Sequence, residues 1–336
     1  MITDTRALQT QFVPQELQHR DAKVHRLEGA LEPITRDQPG EDVLITGPSG
    51  VGKTTLAKFV VKELETKTFG MRWGYVNCLS RSTRSQALWK LARDARVGQD
   101  LRPEGHAPVL FRDRLAELDE QFVAIVDEAD ALREPTALFD LYELPHVTLI
   151  LVCINENEFL SAADSRLRSR LHGVETLRLE RYDVEELTAI LDNRVEHGLA
   201  PGAVAAEVTS TIADIAAGDA RYGIILLRKA VRYAMDAGDS TVTREHALTV
   251  EDDAQTEIRQ RYISEFGTDL RLLYEIVADN APIGAGKLKT RYEAQAADPV
   301  ADSTRRTYLK RLRQYDVIEK EGRGRGAAYT VPAPIG

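Results

Sequence analysis

The stretch "EDVLITGPSGVGKTTLAKFVVKEL" constrains this 336-residue chain more than any other part of it. Val43 to Thr46 predict a short buried strand, and apolar residues recur at helical spacing from Leu56 onward. Between them lies the pattern GxxxxGK[ST], whose glycines let backbone N–H groups surround phosphate oxygens at a helix N-terminus. Because strand, loop and helix agree, the segment predicts a phosphate-binding loop in an α/β fold; the alternative is a chance glycine-rich turn.

The residues of this loop are predicted to contact a nucleotide. Lys53 can reach the β- and γ-phosphates, and the Thr54 hydroxyl can ligate Mg²⁺. The expected cofactors are therefore ATP or ADP with Mg²⁺. The segment assigned to the nucleotide consists of Gly47, Pro48, Ser49, Gly50, Val51, Gly52, Lys53, Thr54 and Thr55.

Two later apolar runs end in polar residues. "QFVAIVDEAD" reaches Asp127 and Glu128, and "HVTLILVCIN" reaches Asn155. Continuous apolar runs predict strands buried on both faces, and their carboxyl ends meet at one edge of a parallel sheet. Asp127 is expected to hold Mg²⁺, mostly through water, Glu128 to polarise the attacking water, and Asn155 to orient water. The alternatives are that the acids cap the next helix and that Asn155 forms a turn.

An arginine in "GDARYGIILLRKAVRYAMDAG" stands where a cation is unfavourable. Asp219 is the predicted N-cap of a helix, so Arg221 falls in its first turn, opposed to the helix dipole. The γ-phosphate of ATP is the anion expected to offset this cost. Arg228 and Arg232, further along the helix, are predicted to be solvated.

A second arginine cluster follows Asn155 in "ADSRLRSRLH". It contains Arg166, Arg168 and Arg170, and one of them could reach a nucleotide held by a neighbouring subunit, as an arginine finger does. A basic helix surface is the alternative for each, and the favoured one for Arg168.

In this order, the phosphate loop, "VDEAD", Asn155, the arginine cluster and "GDAR" resemble an AAA+ ATPase. More narrowly, the chain resembles the archaeal replication initiators, relatives of the origin recognition complex and the cell-division-cycle helicase loader. "YVNC" and "LRLERYDVEELTAIL" also resemble segments of that family, and the resemblance runs from about Phe12 to Gln260. It implies that Asp127 and Glu128 are the Walker B acids, Asn155 sensor 1 and Arg221 sensor 2.

The resemblance implies further contacts with the nucleotide. "FVPQELQHRDAKVHRL" is similar to the family's lead-in around adenine, which assigns Val13 and Arg20 to nucleotide binding. Two arginines compete as the finger. Arg166 matches the archaeal "DPRV" pattern except that Ser165 replaces proline, whereas Arg170 matches the Ser-Arg pair of clamp loaders and eukaryotic homologues and is slightly preferred.

The C-terminal segment differs from the rest of the chain in charge. Residues Ala281 to Gly336 contain 11 Lys and Arg against 6 Asp and Glu, in a chain of net charge −9, which suggests an anionic partner. Three amphipathic segments and two short strands, 317–321 and 327–331, predict a winged helix, whose third helix enters the major groove of DNA. A disordered basic tail is the alternative. The predicted DNA contacts are Arg305, Arg306, Lys310, Arg313, Arg323 and Arg325.

We therefore expect three domains: a parallel αβα sheet domain (1–175), a helical lid (176–262) and a winged helix (263–336), with ATP between sheet and lid. The implied function is that of a slow, switch-like ATPase that binds double-stranded origin DNA, self-associates on it and helps to load the replicative helicase. No apolar run approaches the ~20 residues that cross a bilayer, and the N-terminus lacks a signal-peptide pattern, so a cytoplasmic, nucleoid-associated protein is expected.

Two other functional classes stay open from the sequence. A DNA-bound transcriptional or plasmid-copy regulator would keep ATP as a structural ligand without loading a helicase. A motor of the clamp-loader type would bind DNA without sequence preference, because phosphate contacts dominate non-specific binding.

Overall fold

A computed structural model describes residues 1–12, 17–322 and 326–332 of the chain. The chain forms two compact units, Met1–Ala247 and Leu248–Gly336. The three domains expected from the sequence, with boundaries near 175 and 262, stay a prediction. Val13, Arg323 and Arg325, which were assigned to nucleotide or DNA, lie outside the described residues. Among the described helices, none is long and apolar enough to span a membrane.

The described part of the first unit contains a five-stranded sheet in the order β2-β3-β4-β1-β5, with every neighbouring pair parallel. All residues of β3 and β4 are buried, because their continuous apolar runs are covered on both faces. The predicted parallel sheet is confirmed. Its strands are β1 (Val43–Thr46), β2 (Met71–Asn77), β3 (Gln121–Asp127), β4 (Val147–Cys153) and β5 (Glu175–Arg178).

Helices cover both faces of this sheet. Val123 and Ile125 of β3 share a core with the first two helices of the unit, whereas Phe122 faces the third helix and lies near Leu91. The described α-helices of the chain up to Leu171 are α1 (Asp21–Leu31), α2 (Lys53–Lys67), α3 (Arg84–Asp94), α4 (Pro108–Ala116), α5 (Thr136–Tyr142), α6 (Glu156–Ala162) and α7 (Ser165–Leu171).

A group of helices follows β5: α8 (Val184–Gly198), α9 (Val208–Ala216), α10 (Ala220–Ala237) and α11 (Arg244–Thr249), of which α11 extends two residues past the end of the first unit at Ala247. Asp183 and Glu186 form a capping box that starts α8. The prediction that Arg228 is solvated was wrong, since only 8% of it is exposed. The reason is that α10 is buried over more than one stripe, including Ile225 and Leu226.

The second unit contains α12 (Glu251–Glu265), α13 (Thr268–Asn280), β6 (Ile283–Gly284), α14 (Ala285–Gln295), α15 (Asp302–Gln314), β7 (Glu319–Glu321) and β8 (Ala328–Thr330). Its described strands form an antiparallel sheet in the order β6-β8-β7, in which Lys320 lies opposite Tyr329. The predicted strand pairing near the C-terminus is confirmed. Leu270, Leu273 and Val277 form part of the buried face of α13.

Candidate functional site

The loop between β1 and α2 packs so tightly that two of its glycines admit no side chain. A Cβ on Gly47 would lie 2.2 Å from the carbonyl oxygen of Leu179, and one on Gly50 would lie 1.9 Å from Oδ1 of Asp219. Both residues have positive φ, 147° and 77°, which glycine adopts without steric cost. The glycines therefore serve the packing of the loop as well as its conformation.

Lys53 begins α2 and is folded onto the loop. Its Nζ donates to the carbonyl oxygens of Gly47 and Pro48, both at 2.7 Å. Burial lowers the pKa of the Lys53 ammonium, while the charges of Glu128 and Asp127 act in the opposite direction and that of Arg221 lowers it further. The ammonium thus lies inside the loop, near two carboxylates and a second cation.

Asp127, at the carboxyl end of β3, is the centre of a polar network beside the loop. Its Oδ2 accepts from Thr54 Oγ1 and from Tyr75 Oη, each at 2.8 Å. Its Oδ1 accepts from the backbone N–H of Glu128 at 3.0 Å, where the chain takes a left-handed φ of 53°. A hydroxyl and carboxylates in one place are the hard oxygen ligands that Mg²⁺ prefers, so the residues present fit this ion.

Asn155 follows β4, the strand next to β1 in the sheet. The preceding carbonyl, of Ile154, accepts from the N–H of Gly47 at 3.3 Å, so Asn155 adjoins the phosphate loop. Its Oδ1 accepts from the N–H of Glu158 at 3.1 Å and caps α6. The structure thus brings Asn155 to the predicted edge, with its amide oxygen in a cap.

The start of α10 lies directly on the phosphate loop. The N–H of Ala220 donates to the carbonyl of Gly50 at 3.1 Å. Asp219 caps α10 by accepting from the N–H of Tyr222 at 2.9 Å, and burial raises the pKa of its carboxyl. Arg221 is close enough to act electrostatically on both Asp219 and Lys53. The first turn of α10, which carries Arg221, therefore adjoins the loop onto which Lys53 is folded.

Arg20 joins the lead-in segment to the same cleft. It donates to the Tyr182 hydroxyl at 3.2 Å and to the Glu180 carbonyl at 2.8 Å, and its guanidinium lies 4.0 Å from the centre of the Tyr182 ring. Its Nη2 also lies 3.5 Å from the carbonyl oxygen of Val51 in the loop. Sequence reasoning missed Tyr182; the only signal was an aromatic residue just before the capping box of α8.

The arginine cluster forms the short exposed helix α7. Arg166 and Arg170 line a groove of about 630 Å³ that also includes Arg84. Arg170 lies beside the rings of Phe139 and Tyr142, at 5.7 and 5.6 Å. Arg168 turns away and donates to the carbonyls of Leu160 and Ala163, where it closes the end of α6. This geometry leaves both finger candidates open.

The basic residues of α15 fall into two groups. Arg306, Lys310 and Arg313 are exposed. Arg305 is only 6% exposed and donates to Oδ1 of Asp302 at 2.8 Å, so its position does not support the predicted DNA contact. It occupies the inward face of α15, where an ion pair compensates its burial.

A family model described as "AAA domain" matches residues 40–159, and one described as "Cdc6 AAA+ ATPase-type lid domain" matches residues 188–252. The chain is 36% identical to ORC1-type DNA replication protein 9 of Halobacterium salinarum over 332 residues, which cover 98% of this chain and 94% of that protein.

Two solved structures share the fold over nearly the whole chain. One is the Aeropyrum pernix ORC1 protein in complex with DNA, with a TM-score of 0.76 and 24% identity, covering 99% of this chain and 94% of that one. The other is the Aeropyrum pernix ORC2 protein in ADPNP-ADP complexes, with a TM-score of 0.66 and 22% identity, covering 98% and 94%. The resemblance stated from the sequence is confirmed, and the chain belongs to the family of ORC1-type DNA replication proteins, with an AAA domain and a Cdc6-type lid.

Proposed function

We propose that this protein is a DNA replication initiator that binds duplex origin DNA and helps to load the replicative helicase, with slow ATP hydrolysis as its switch. Family membership supports replication and ATP use. The observation that carries the proposal is the contact between Gly50 of the phosphate loop and the start of α10, because a nucleotide in the loop would then meet residues of the lid.

The residues of the cleft have distinct proposed roles. The loop and Lys53 bind the phosphates, and Thr54 and Asp127 would hold Mg²⁺, which supplies positive charge to the triphosphate when bound. Glu128 polarises the attacking water and Asn155 orients it. The Aeropyrum pernix ORC2 protein in its ADPNP-ADP complexes supports nucleotide binding by this fold.

Arg221 is the proposed reporter of the γ-phosphate. It and Lys53 are two cations close enough to disfavour each other's charge, and both adjoin the same loop. An anion between them would relieve this repulsion and would also compensate a cation in the first turn of α10. Hydrolysis would remove part of that anion, so the lid contact would weaken with the loss of the γ-phosphate.

DNA binding is assigned to the C-terminal unit. Arg306, Lys310 and Arg313 lie exposed on α15. We also assign Arg323 and Arg325, between the paired strands in the sequence, to phosphate or minor-groove contacts. The ORC1 protein of Aeropyrum pernix in complex with DNA, which shares this fold, supports a DNA partner. The bound protein would be nucleoid-associated.

Self-association on DNA would bring an arginine to a neighbour's nucleotide. Arg166 and Arg170 are both exposed on α7 and compete for this role. If one of these arginines acts in a neighbouring subunit, the rate of ATP hydrolysis per protein molecule should rise with protein concentration on DNA. This rise should be lost in either Arg166→Ala or Arg170→Ala. Arg168→Ala is the matched control, because Arg168 caps α6. Equal activity in all three variants would exclude a finger on α7.

The test of the proposed function is replication in cells. Lys53→Ala and Glu128→Gln should abolish firing of the origins to which the protein binds, whereas Lys62→Ala, an exposed lysine of α2, should not. Genome-wide mapping of bound DNA should place peaks at replication starts. Peaks at promoters, together with unchanged initiation in both variants, would instead establish a transcriptional or plasmid-copy regulator.

A further inference from the structure

Tyr75 is a cleft residue to which the proposed ATP chemistry assigns no role. It lies on β2, two residues before Asn77, which pairs with Asp127 of β3. Side chains two apart on a strand point to the same face, so Tyr75 and Asp127 share the face that α2 covers. The Tyr75 hydroxyl donates to Asp127 Oδ2 at 2.8 Å across the two strands.

The hydrogen bonds of Asp127 limit how it can meet a metal ion. A carboxylate has about four lone-pair sites. In the described part of the chain, the Asp127 carboxylate accepts from the hydroxyls of Thr54 and Tyr75 and from the backbone N–H of Glu128. One site is then left, which suits acceptance from a metal-bound water better than chelation of the ion. Donors to both oxygens restrict the orientation of the carboxylate.

Contacts with Lys58 on α2 and Asp94 on α3 fix the position of Tyr75. Nζ of Lys58, four residues after Thr54 on α2, lies 3.4 Å from the centre of the Tyr75 ring. A cation over an aromatic face is attractive, and it also withdraws charge from the phenol, which makes the hydroxyl a better donor. The backbone N–H of Tyr75 donates to Asp94 at 3.0 Å. The phenol therefore has a defined position from which to orient Asp127.

We propose that Tyr75 is a positioning residue of the metal site: its hydroxyl orients Asp127 so that the carboxylate accepts from water on the nucleotide-bound Mg²⁺. Partners that orient a metal's ligands are typically worth about 10- to 100-fold in metal affinity. The inference rests on the proposed binding of ATP and Mg²⁺ at this cleft. The proposed function assigns Mg²⁺ binding to Thr54 and Asp127. This inference adds a separate contribution of the Tyr75 hydroxyl to the affinity for the metal ion.

The experiment uses the full chain and Tyr75→Phe, which keeps the ring over Lys58 and removes the hydroxyl. ATP binding is measured by calorimetry in EDTA, and Mn²⁺ binding to the nucleotide complex by electron paramagnetic resonance. We expect ATP affinity in EDTA within about twofold of wild type and Mn²⁺ affinity lowered about tenfold. Tyr142→Phe is the matched control, since the hydroxyl of Tyr142 has no hydrogen-bond partner among the described residues.

A double-mutant cycle separates positioning from general loss of stability. If Tyr75 acts through Asp127, Tyr75→Phe should have little effect on Mn²⁺ affinity in a chain that already carries Asp127→Asn. Additive losses would overturn the inference, as would unchanged Mn²⁺ affinity in Tyr75→Phe with normal ATP binding. If the wild-type chain binds no ATP, either in EDTA or with Mn²⁺ present, the proposed function is overturned and this inference with it.

Discussion

The nucleotide cleft and the exposed face of α15 are built in opposite ways. In the cleft, Lys53 and Asp127 are buried and bonded to other parts of the protein, and Gly50 has no room for a methyl group. On α15, Arg306, Lys310 and Arg313 are long exposed side chains on a helix whose buried face is formed by other residues.

This difference predicts different responses to substitution. A buried and hydrogen-bonded residue cannot be removed without leaving its partner unsatisfied, so single changes in the cleft should each have a large effect. An exposed cation that meets DNA phosphates contributes one charge among several, so changes on α15 should be graded and depend on salt. Substitutions in the two regions therefore test the comparison directly.

The largest effect is expected for Gly50→Ala. Its methyl group would overlap Asp219 at a φ of 77°, and the strain and overlap together would cost the native loop conformation on the order of 3 kcal/mol. Because ATP is proposed to bind only that conformation, its affinity should fall by up to about 100-fold. Gly70→Ala is the matched control, because it has a similar φ of 74° with no atom within 4 Å. Calorimetry and melting temperature measure both variants. Equal ATP affinity in the two would show that contact with the lid is unimportant.

Arg221→Ala should have an intermediate effect. Loss of one charge-assisted hydrogen bond to the γ-phosphate should weaken ATP binding about tenfold and leave ADP binding unchanged. Arg232→Ala, an exposed arginine of the same helix, is the control. The measurement is the ratio of ATP and ADP affinities. A parallel loss of both affinities would assign Arg221 to the stability of the lid rather than to the γ-phosphate.

The smallest effects are expected on α15. Arg306→Ala and Lys310→Ala should each weaken binding to duplex DNA a few-fold and lower the slope of log affinity against log salt by about 1. Arg305→Met should leave that slope unchanged and lower the melting temperature, since it removes the ion pair between the buried Arg305 side chain and the partly exposed Asp302. A reduced slope for Arg305→Met would place this arginine at the DNA after all. Fluorescence anisotropy at several salt concentrations gives the slopes.

Much of the first unit was predictable from the sequence. The phosphate loop, the buried strands and the helix start at Asp219 depend on spacing within short segments, and each was confirmed. The edge at which Gly47, Asp127 and Asn155 meet followed from one rule, that parallel strands end together. The paired strands of the C-terminal unit were likewise indicated by the residues of segments 317–321 and 327–331.

The wrong or missing predictions concern which face of a helix or strand packs against the rest of the protein. Arg228 and Arg305 were predicted as exposed or DNA-facing and are buried. Tyr182 and Tyr75 were not assigned to the cleft, because their partners Arg20 and Asp127 are remote in the chain. Nothing in the local pattern of a strand distinguishes a tyrosine that fills the core from one that orients a carboxylate.

The sequence by itself determined the elements and the order of the motifs, because glycine conformations, helix caps and apolar periodicity are local properties of the backbone. Only the tertiary structure decided that the start of α10 would rest on Gly50 and that Asp127 would accept a bond from Tyr75. Those contacts join residues more than 50 positions apart, and their energies exist only once packing has excluded water and selected one rotamer for each side chain.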